Sequence, residues 1–289
     1  MKENRSLIRQ VAACGAALAM VSTLVAQTPV EMGAKVVRIQ GPARYSLSPG
    51  SGVWQPLKIG MILKPGAVVQ TGKEPKSFVD LVFFDTAVPR PTVTKPGIPT
   101  SYNTYTFTPK VEQNVVRIWE NSALGIDKLT AMQTGADVVT DTELDLKAGR
   151  LYFRVKKTAA ASRYEVKIPN GIAGIRGSDG MVDALGIIQM FSGSAFFVYN
   201  DTAGVVQSRS VGPGQQCDIS SGAASPGTIA PIPPNDPGYT VIPSMPPPGP
   251  TGGTTGGGST VVPPDQTFVP VTGTSHENNN QNNNQNNQQ

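Results

Sequence analysis

The sequence predicts an all-β protein, and three observations carry that prediction. Short segments alternate apolar and polar residues. The clearest is Arg163–Ile168, where Tyr164, Val166 and Ile168 face one way and Glu165 and Lys167 the other. Glycine and proline separate these segments at short intervals. Only one stretch, Ser122–Gly135, has even partly helical spacing, through Leu124, Leu129 and Met132. Ile126, Thr130 and Gly125 disturb that stripe, so strand is the preferred reading there too.

The expected strands follow in order. Lys35–Ile39 comes first, then Ala67–Gln70 and Phe78–Phe84. Tyr102–Thr108 alternates Tyr and Thr, and Val115–Trp119 follows. Glu143–Leu146, Arg150–Val155 and Tyr164–Ile168 continue the series. Met181–Ala184, Ile187–Phe191, Ala195–Tyr199 and Val205–Arg209 complete it. Pro169, Asn170 and Gly171 stop one strand with turn chemistry. Glycines then recur at 174, 177 and 180, as expected of a tight corner needing positive φ or close backbone approach.

Composition sets the organisation. Residues 1–27 read as a secretory signal: Lys2, Arg5 and Arg9 precede the apolar run Val11–Ala26, and Val25, Ala26 and Gln27 offer a small-residue cleavage region. The run is short for a membrane span, which takes about 20 apolar residues; a retained anchor is the alternative. Val11–Cys14 resembles a lipoprotein box, but its apolar run follows the cysteine instead of preceding it. Residues 28–221 form the expected domain, interrupted by a proline-rich excursion at 87–109. Residues 222–289 hold half of the 26 prolines and only Asp236, Asp265 and Glu277 as charges. This segment is expected to be disordered, with stiff proline runs, a Gly/Thr/Ser linker and a terminal Asn/Gln tract. Amide ladders in that tract leave self-association open, as do exposed strand edges.

The domain is expected outside the cytoplasm, in the periplasm, secreted or in the cell envelope, with no membrane span once the signal is removed. Loss of residues 1–27 removes Lys2, Arg5, Arg9 and Glu3 from a chain of net charge +4 and brings it near balance. No clustered basic face suggests nucleic acid as a partner. Cys14 leaves with the signal, so Cys217 has no intramolecular partner and reads as a buried thiol, with an intermolecular disulfide as the alternative.

Catalytic signatures are sparse. The lone histidine, His276, lies in the expected tail, away from any triad built in the fold. Most zinc sites need several His or Cys ligands. Asp137, Asp141, Glu143 and Asp145 cluster on one strand; a solvated acidic face is the preferred reading and calcium the alternative. Gly171–Gly180 lacks the Gly-Lys-Ser/Thr ending of a phosphate loop. Arg176 is read as fixing its corner through neighbouring carbonyls or Asp179, with anion binding as the alternative. Trp54 is read as rim packing, with a stacking platform as the alternative. No enzyme, cofactor or metal is expected.

Several segments, taken in order, resemble the FecR domain. The first is Trp54, Leu57, Gly60, Leu63, Gly66, Thr71 and Gly72, leading into Val79, Leu81, Phe83 and Asp85. Leu146, Gly149, Leu151, Phe153 and Val155 repeat a Leu-x-x-Gly step into a strand. Ile168-Pro169, Ala173 and Ile175-Arg176-Gly177 follow, with Ser178 where members often carry Thr. Gly193-Ser194-Ala195 and Val211-Gly212-Pro213-Gly214-Gln215 close the set. The resemblance implies stacked strands in a solenoid or β-helix-like domain, with a β-sandwich as the alternative. It assigns Trp54, Gly60, Gly66, Thr71, Gly72, Gly149, Pro169, Arg176, Gly177, Ser178 and Gly214 structural or partner-binding roles. Founding members relay a signal from an outer-membrane siderophore transporter to a sigma factor. Few residues precede the apolar run here, so that iron-signalling role is not expected to carry over. The expected function is a non-enzymatic binding or scaffolding module whose partner is an envelope protein or polysaccharide. The alternatives are a signal-sensing partner of an envelope regulatory system and a self-assembling surface protein.

Overall fold

The computed structural model describes residues 28–47, 50, 52–85, 114–134, 137–156, 159–201, 203–220, 222–223 and 225–246. The signal segment, the proline-rich excursion with its Tyr102–Thr108 strand, and the Asn/Gln tract lie outside the described residues. Among those described, sixteen strands form one hydrogen-bonded sheet. They are β1 (Val30–Gln40), β2 (Ala43–Ser46), β3 (Gln55–Pro56), β4 (Ile62–Leu63), β5 (Val68–Thr71), β6 (Phe78–Asp85), β7 (Asn114–Ile118) and β8 (Ala123–Thr134). Then come β9 (Asp137–Ala148), β10 (Arg150–Arg154), β11 (Arg163–Ile168), β12 (Gly171–Asp183), β13 (Ile187–Asn200), β14 (Val206–Val211), β15 (Gln215–Asp218) and β16 (Ile229–Pro231). One short helix, α1 (Gly238–Ser244), follows.

Eight strands close into a ring. From β1 the ladder runs through β6, β7, β10, β12, β11, β9 and β8, and Val30 and Glu31 of β1 pair with Ala131 and Thr130 of β8. All these ladders are antiparallel except β9–β11. Strand β12 takes part twice. Its first half pairs with β11 and its second half with β10, with a register shift between Arg176 and Asp179. The all-β class therefore holds, but the pairing does not reproduce stacked coils. A solenoid leaves its ends open, whereas here the first strand returns to the ring. Two separate sandwich sheets are not seen either, because β12 and β13 run through the bends and belong to both walls.

Alternation places the core. On β10, Leu151 and Phe153 point inward and Tyr152 and Arg154 outward. On β6, Val79 and Leu81 are interior and Asp80 and Val82 lie on the other face. Val36, Val79, Leu81, Val116, Ile118, Leu144, Leu151, Phe153, Val166 and Val182 are all fully inaccessible. Each such side chain contributes about 1.5–3 kcal/mol of transfer free energy. Ala123–Thr134 forms β8, as the strand reading of this stretch expects.

Two further expectations are refined. The Gly171–Gly180 run is most of a long strand with its corner at Gly177, which has positive φ. Pro169-Asn170 forms the turn before it, and Gly171 and Gly180 serve close approach: a Cβ on Gly180 would collide with the Phe153 ring and the Gln189 carbonyl. The domain also extends past Ser221. Strand β16 pairs with β15, and Val241, Ile242 and Met245 pack on Val82, Val115, Tyr152 and Met181. Proline-rich composition conceals this segment, because its few apolar residues act only against a ready-made face.

Cys217 is fully buried on β15, and burial pushes its thiol pKa up to about 11. A thiol in that state is a poor nucleophile. In a full-length Cys14→Ser chain, Cys217 is expected to resist a water-soluble maleimide while the protein is folded and to react fully in denaturant. Mass-spectrometric labelling of the native chain would contradict this burial.

Candidate functional site

The sequence-predicted residues gather mainly at the bends of the ring. Three bends share one construction: a serine follows a residue of positive φ and faces a glycine of positive φ on the neighbouring segment. Lys76-Ser77 faces Gly41, Asn121-Ser122 faces Gly149, and Gly177-Ser178 faces Gly193. A Cβ on any of the three facing glycines would strike the opposing serine Oγ, so no larger residue fits.

Hydrogen bonds complete two of the bends. Ser122 Oγ accepts from Arg150 N–H at 2.9 Å, and Ser178 Oγ accepts from Ser194 N–H at 2.9 Å while donating to the Ser194 carbonyl at 2.9 Å. In the third, the residue after Gly41 is Pro42, which has no N–H to give. The Ser77 hydroxyl is accordingly buried without a partner. Thr71 reinforces the Ser122 bend. Its Oγ1 donates to the Trp119 carbonyl and accepts from Ser122 N–H at 3.0 Å. Gly72 N–H donates to the Pro42 carbonyl at 2.8 Å, and Asn121 N–H to the Gly72 carbonyl at 2.8 Å. Thr71, Gly72, Gly149, Gly177 and Ser178 thus belong to one kind of structure.

The other predicted residues lie elsewhere. Gly60 and Gly66 have positive φ in turns, donating to the Val36 and Ile126 carbonyls at 2.8 and 2.7 Å. Gly214 also has positive φ and donates to the Met190 carbonyl at 2.7 Å. Pro169 is an exposed turn residue. Trp54 is half-buried, with the Arg44 guanidinium 4.5 Å over its ring, so one of its faces is covered. Arg176 is exposed and donates to the Ala160 carbonyl at 3.3 Å. Arg154 takes Asp179 instead, at 3.4 Å.

The acidic strand is neutralised by its neighbours. Arg163 pairs with Asp141 at 3.0 Å and with Glu143, and Lys128 reaches Asp141 at 2.6 Å. Lys167 bridges Glu143 and Asp127 at 3.1 and 3.2 Å, and Lys147 holds Asp145. Partial burial pushes the Asp141 pKa up, but hydrogen bonds from Arg163 and Lys128 outweigh it and hold the carboxyl below its ordinary range. Among the described residues no cluster of three or more His, Cys, Asp or Glu could hold a metal ion. A depression of about 460 Å³ adjoins this network, lined by Pro29, Thr130, Met132 and Ala161 together with Arg163 and Asp141.

A deeply buried polar constellation escapes the sequence reading. Asp80 is completely buried on the outer face of β6, and Arg117 of β7 grips both its oxygens, Nε at 2.6 Å and Nη2 at 2.8 Å. Burial pushes the Asp80 pKa up, against the hydrogen bonds and charge of Arg117 and the charge of Arg38. Arg117 also donates to Ser244 Oγ at 2.7 Å. Arg38 donates to the Ser244 carbonyl at 3.0 Å, and Arg154 to the Ile242 carbonyl at 2.9 Å. Three arginines from β1, β7 and β10 therefore converge on the C-terminal end of α1, where the last carbonyls favour cations. Phe78 lies beneath Arg117, 4.2 Å from the guanidinium carbon, and stacks on Trp119, which meets Tyr152 edge-on. Alternation in β7 and β10 was the available signal, since it places Arg117 and Arg154 outward on neighbouring strands.

Residues 106–194 match the family model described as FecR protein, and the chain carries a FecR domain. Two crystal structures, each of a candidate anti-sigma factor from Parabacteroides distasonis ATCC 8503, are similar to parts of it. One has 12% identity and a TM-score of 0.33, covering 45% of this chain and 55% of the other. The second has 11% identity and a TM-score of 0.26, covering 55% and 53%. The chain spans about half the length of each. No curated protein matches.

The bends yield a graded expectation. Ser122→Ala and Ser178→Ala are each expected to lower stability by about 1 kcal/mol, since each removes the acceptor of a part-buried N–H. Ser77→Ala is expected to change it by less than about 0.5 kcal/mol, because no bond is lost. Urea-unfolding midpoints of the three variants check this order, and equal losses would contradict it.

Proposed function

We propose that the chain is a non-enzymatic recognition module of an envelope regulatory system, and that its arginine face is the recognition surface. The FecR match supports the envelope regulatory setting. The carrying observation is the convergence of Arg38, Arg117 and Arg154 on the end of α1. A face of this kind suits a short apolar segment that ends in carbonyl or carboxylate oxygens. The side chains of Val82, Val115, Tyr152 and Met181 supply the apolar floor. The buried Asp80–Arg117 pair fixes the direction of the central guanidinium.

At rest the chain's own C-terminal segment occupies this face. Its hold is modest: α1 has seven residues, contains Pro243, and lacks a side-chain N-cap. An external segment of like chemistry competes with it, and the partner is a protein of the envelope. The domain acts outside the cytoplasm; among the described residues no helix is long and apolar enough to cross a membrane. The bend residues serve this reading as scaffold and make no contact with the partner.

Val241→Asp with Met245→Asp in the full chain loosens α1 and is expected to open the face. A synthetic peptide of residues 232–246 should then bind at least about tenfold more tightly than to the unaltered chain. Arg154→Ala added to that variant should weaken peptide binding again. Equal peptide affinity for the open and unaltered chains, measured by calorimetry with the fold checked by circular dichroism, would overturn the assignment of this face. Failure of the opened chain to retain any protein from an envelope extract, against stoichiometric capture, would count against the regulatory role.

A further inference from the structure

We propose that β14 is a pairing edge for a second copy of this chain, joined antiparallel about a two-fold axis at Ser208. The observation behind it is how unevenly the sheet's edges are protected. Strand β16 has three residues and ends in Pro231. Strand β3 has two and ends in Pro56, and β4 also has two. Short strands and proline discourage pairing with another chain. Strand β14 has six residues, Val-Gln-Ser-Arg-Ser-Val, with neither proline nor lysine. Among the described strands it pairs only with β13.

Alternation identifies the groups it offers. Asp201 N–H donates to the Val205 carbonyl at 2.9 Å, closing the β13–β14 turn. Asn200 N–H donates away from β14, to the Asn170 carbonyl at 3.3 Å. Carried along the ladder, this parity directs Gln207, Arg209 and Val211 toward β13. It turns the backbone groups of Val206, Ser208 and Ser210 to the open side.

Those three residues are self-complementary in a single register. With Ser208 opposite Ser208 of the second copy, Val206 meets Ser210 and Ser210 meets Val206, so every open backbone group finds a partner. Gln207 and Arg209 then face each other across the axis, and no two like charges meet. Centring the axis on Arg209 would oppose two guanidinium groups. One existing bond bears on the edge: Arg209 Nη1 donates to the Ser208 carbonyl at 2.8 Å. A carbonyl accepts two hydrogen bonds, so this leaves one site for the second copy.

The surface beside the edge agrees with the same occupant. Phe196 is 54% exposed and Val206 67% exposed, and Ile172 of β12 is 41% exposed. Phe196 pairs with Ser210 and Val198 with Ser208, so small side chains separate Phe196 from the open edge. In the proposed register, Val206 of the second copy lies just beyond Ser210 and covers Phe196. Two apolar side chains that neither copy covers alone are covered twice over by symmetry.

The two-fold axis at Ser208 makes the test specific. Sedimentation of the full chain should reveal a dimer, and a monomer across the accessible concentration range overturns the proposal. Ser208→Lys and Ser208→Glu each oppose like charges at the axis and should weaken dimerisation about tenfold or more. Mixing the two variants should restore a dimer containing one of each. A dimer indifferent to both changes, or one that mixing fails to restore, places the contact elsewhere. Loss of the dimer on removal of residues 247–289, with Ser208→Lys silent, assigns it to the C-terminal tract instead. Should the lysine variant melt early, Ser210→Lys offers the same blocking charge one residue pair from the axis.

Discussion

A ring of eight strands this compact can close only if its chain bends sharply at fixed points without losing hydrogen bonds. The rest of the structure depends on how those bends are made. At each of the three Ser/Gly bends the backbone enters the left-handed region on both sides. The side-chain space at the facing glycine is given to a serine oxygen, and in two bends that oxygen takes the N–H that the bend removes from the ladder. The bend is thus a local exchange of a backbone acceptor for a side-chain one. Once the bends are set, Leu151 and Phe153 on one wall meet Val166 and Ala173 on the other, and the interior follows from alternation.

The outer face needs a different solution. A closed ring buries only inward side chains, yet Val82, Val115, Tyr152 and Met181 point outward. They require a cover, and the C-terminal segment supplies it. Asp80 sits in the same face with no exposure, a costly position for a carboxylate unless its charge is matched. Arg117 matches it with two hydrogen bonds and has donors left for Ser244. A buried pair of this kind adds little net stability compared with apolar residues of the same volume. What it adds is direction: it holds the guanidinium where only a carbonyl-bearing segment in one orientation satisfies it.

How much of this was legible depends on range. Strands β7, β10 and β11 stand in the sequence because alternation is local and their faces differ sharply in polarity. The special standing of Gly149, Gly177 and Ser178 was legible as motif, but their common construction was not, since each serine meets its glycine only through the fold. The Gly171–Gly180 run is legible as a corner, which Gly177 makes with positive φ, but not as one continuous strand, because the sequence does not say that Gly171 and Gly180 let neighbouring strands approach closely. Asp141 and Glu143 read as an acidic cluster because Arg163 and Lys128, which neutralise them, come from other strands. The C-terminal segment was hidden most completely. Its composition lacks the apolar content to fold by itself, and Val241, Ile242 and Met245 acquire meaning only on a preformed face.

The family match divides the molecule in an informative way. Residues 106–194 hold Arg117 and Arg154, two complete Ser/Gly bends and most of the ring's far wall. Arg38, Asp80, α1 and β14 lie outside it. The matched part is therefore a scaffold that closes by bends. The arginine face under α1 and the open edge of β14 depend on segments before and after it. On the reading proposed above, specificity lies in which oxygen atoms an arginine can reach and which strand register leaves no like charges opposed. Neither α1 nor β14 contributes to closing the ring, so changes in either leave the core's closure undisturbed.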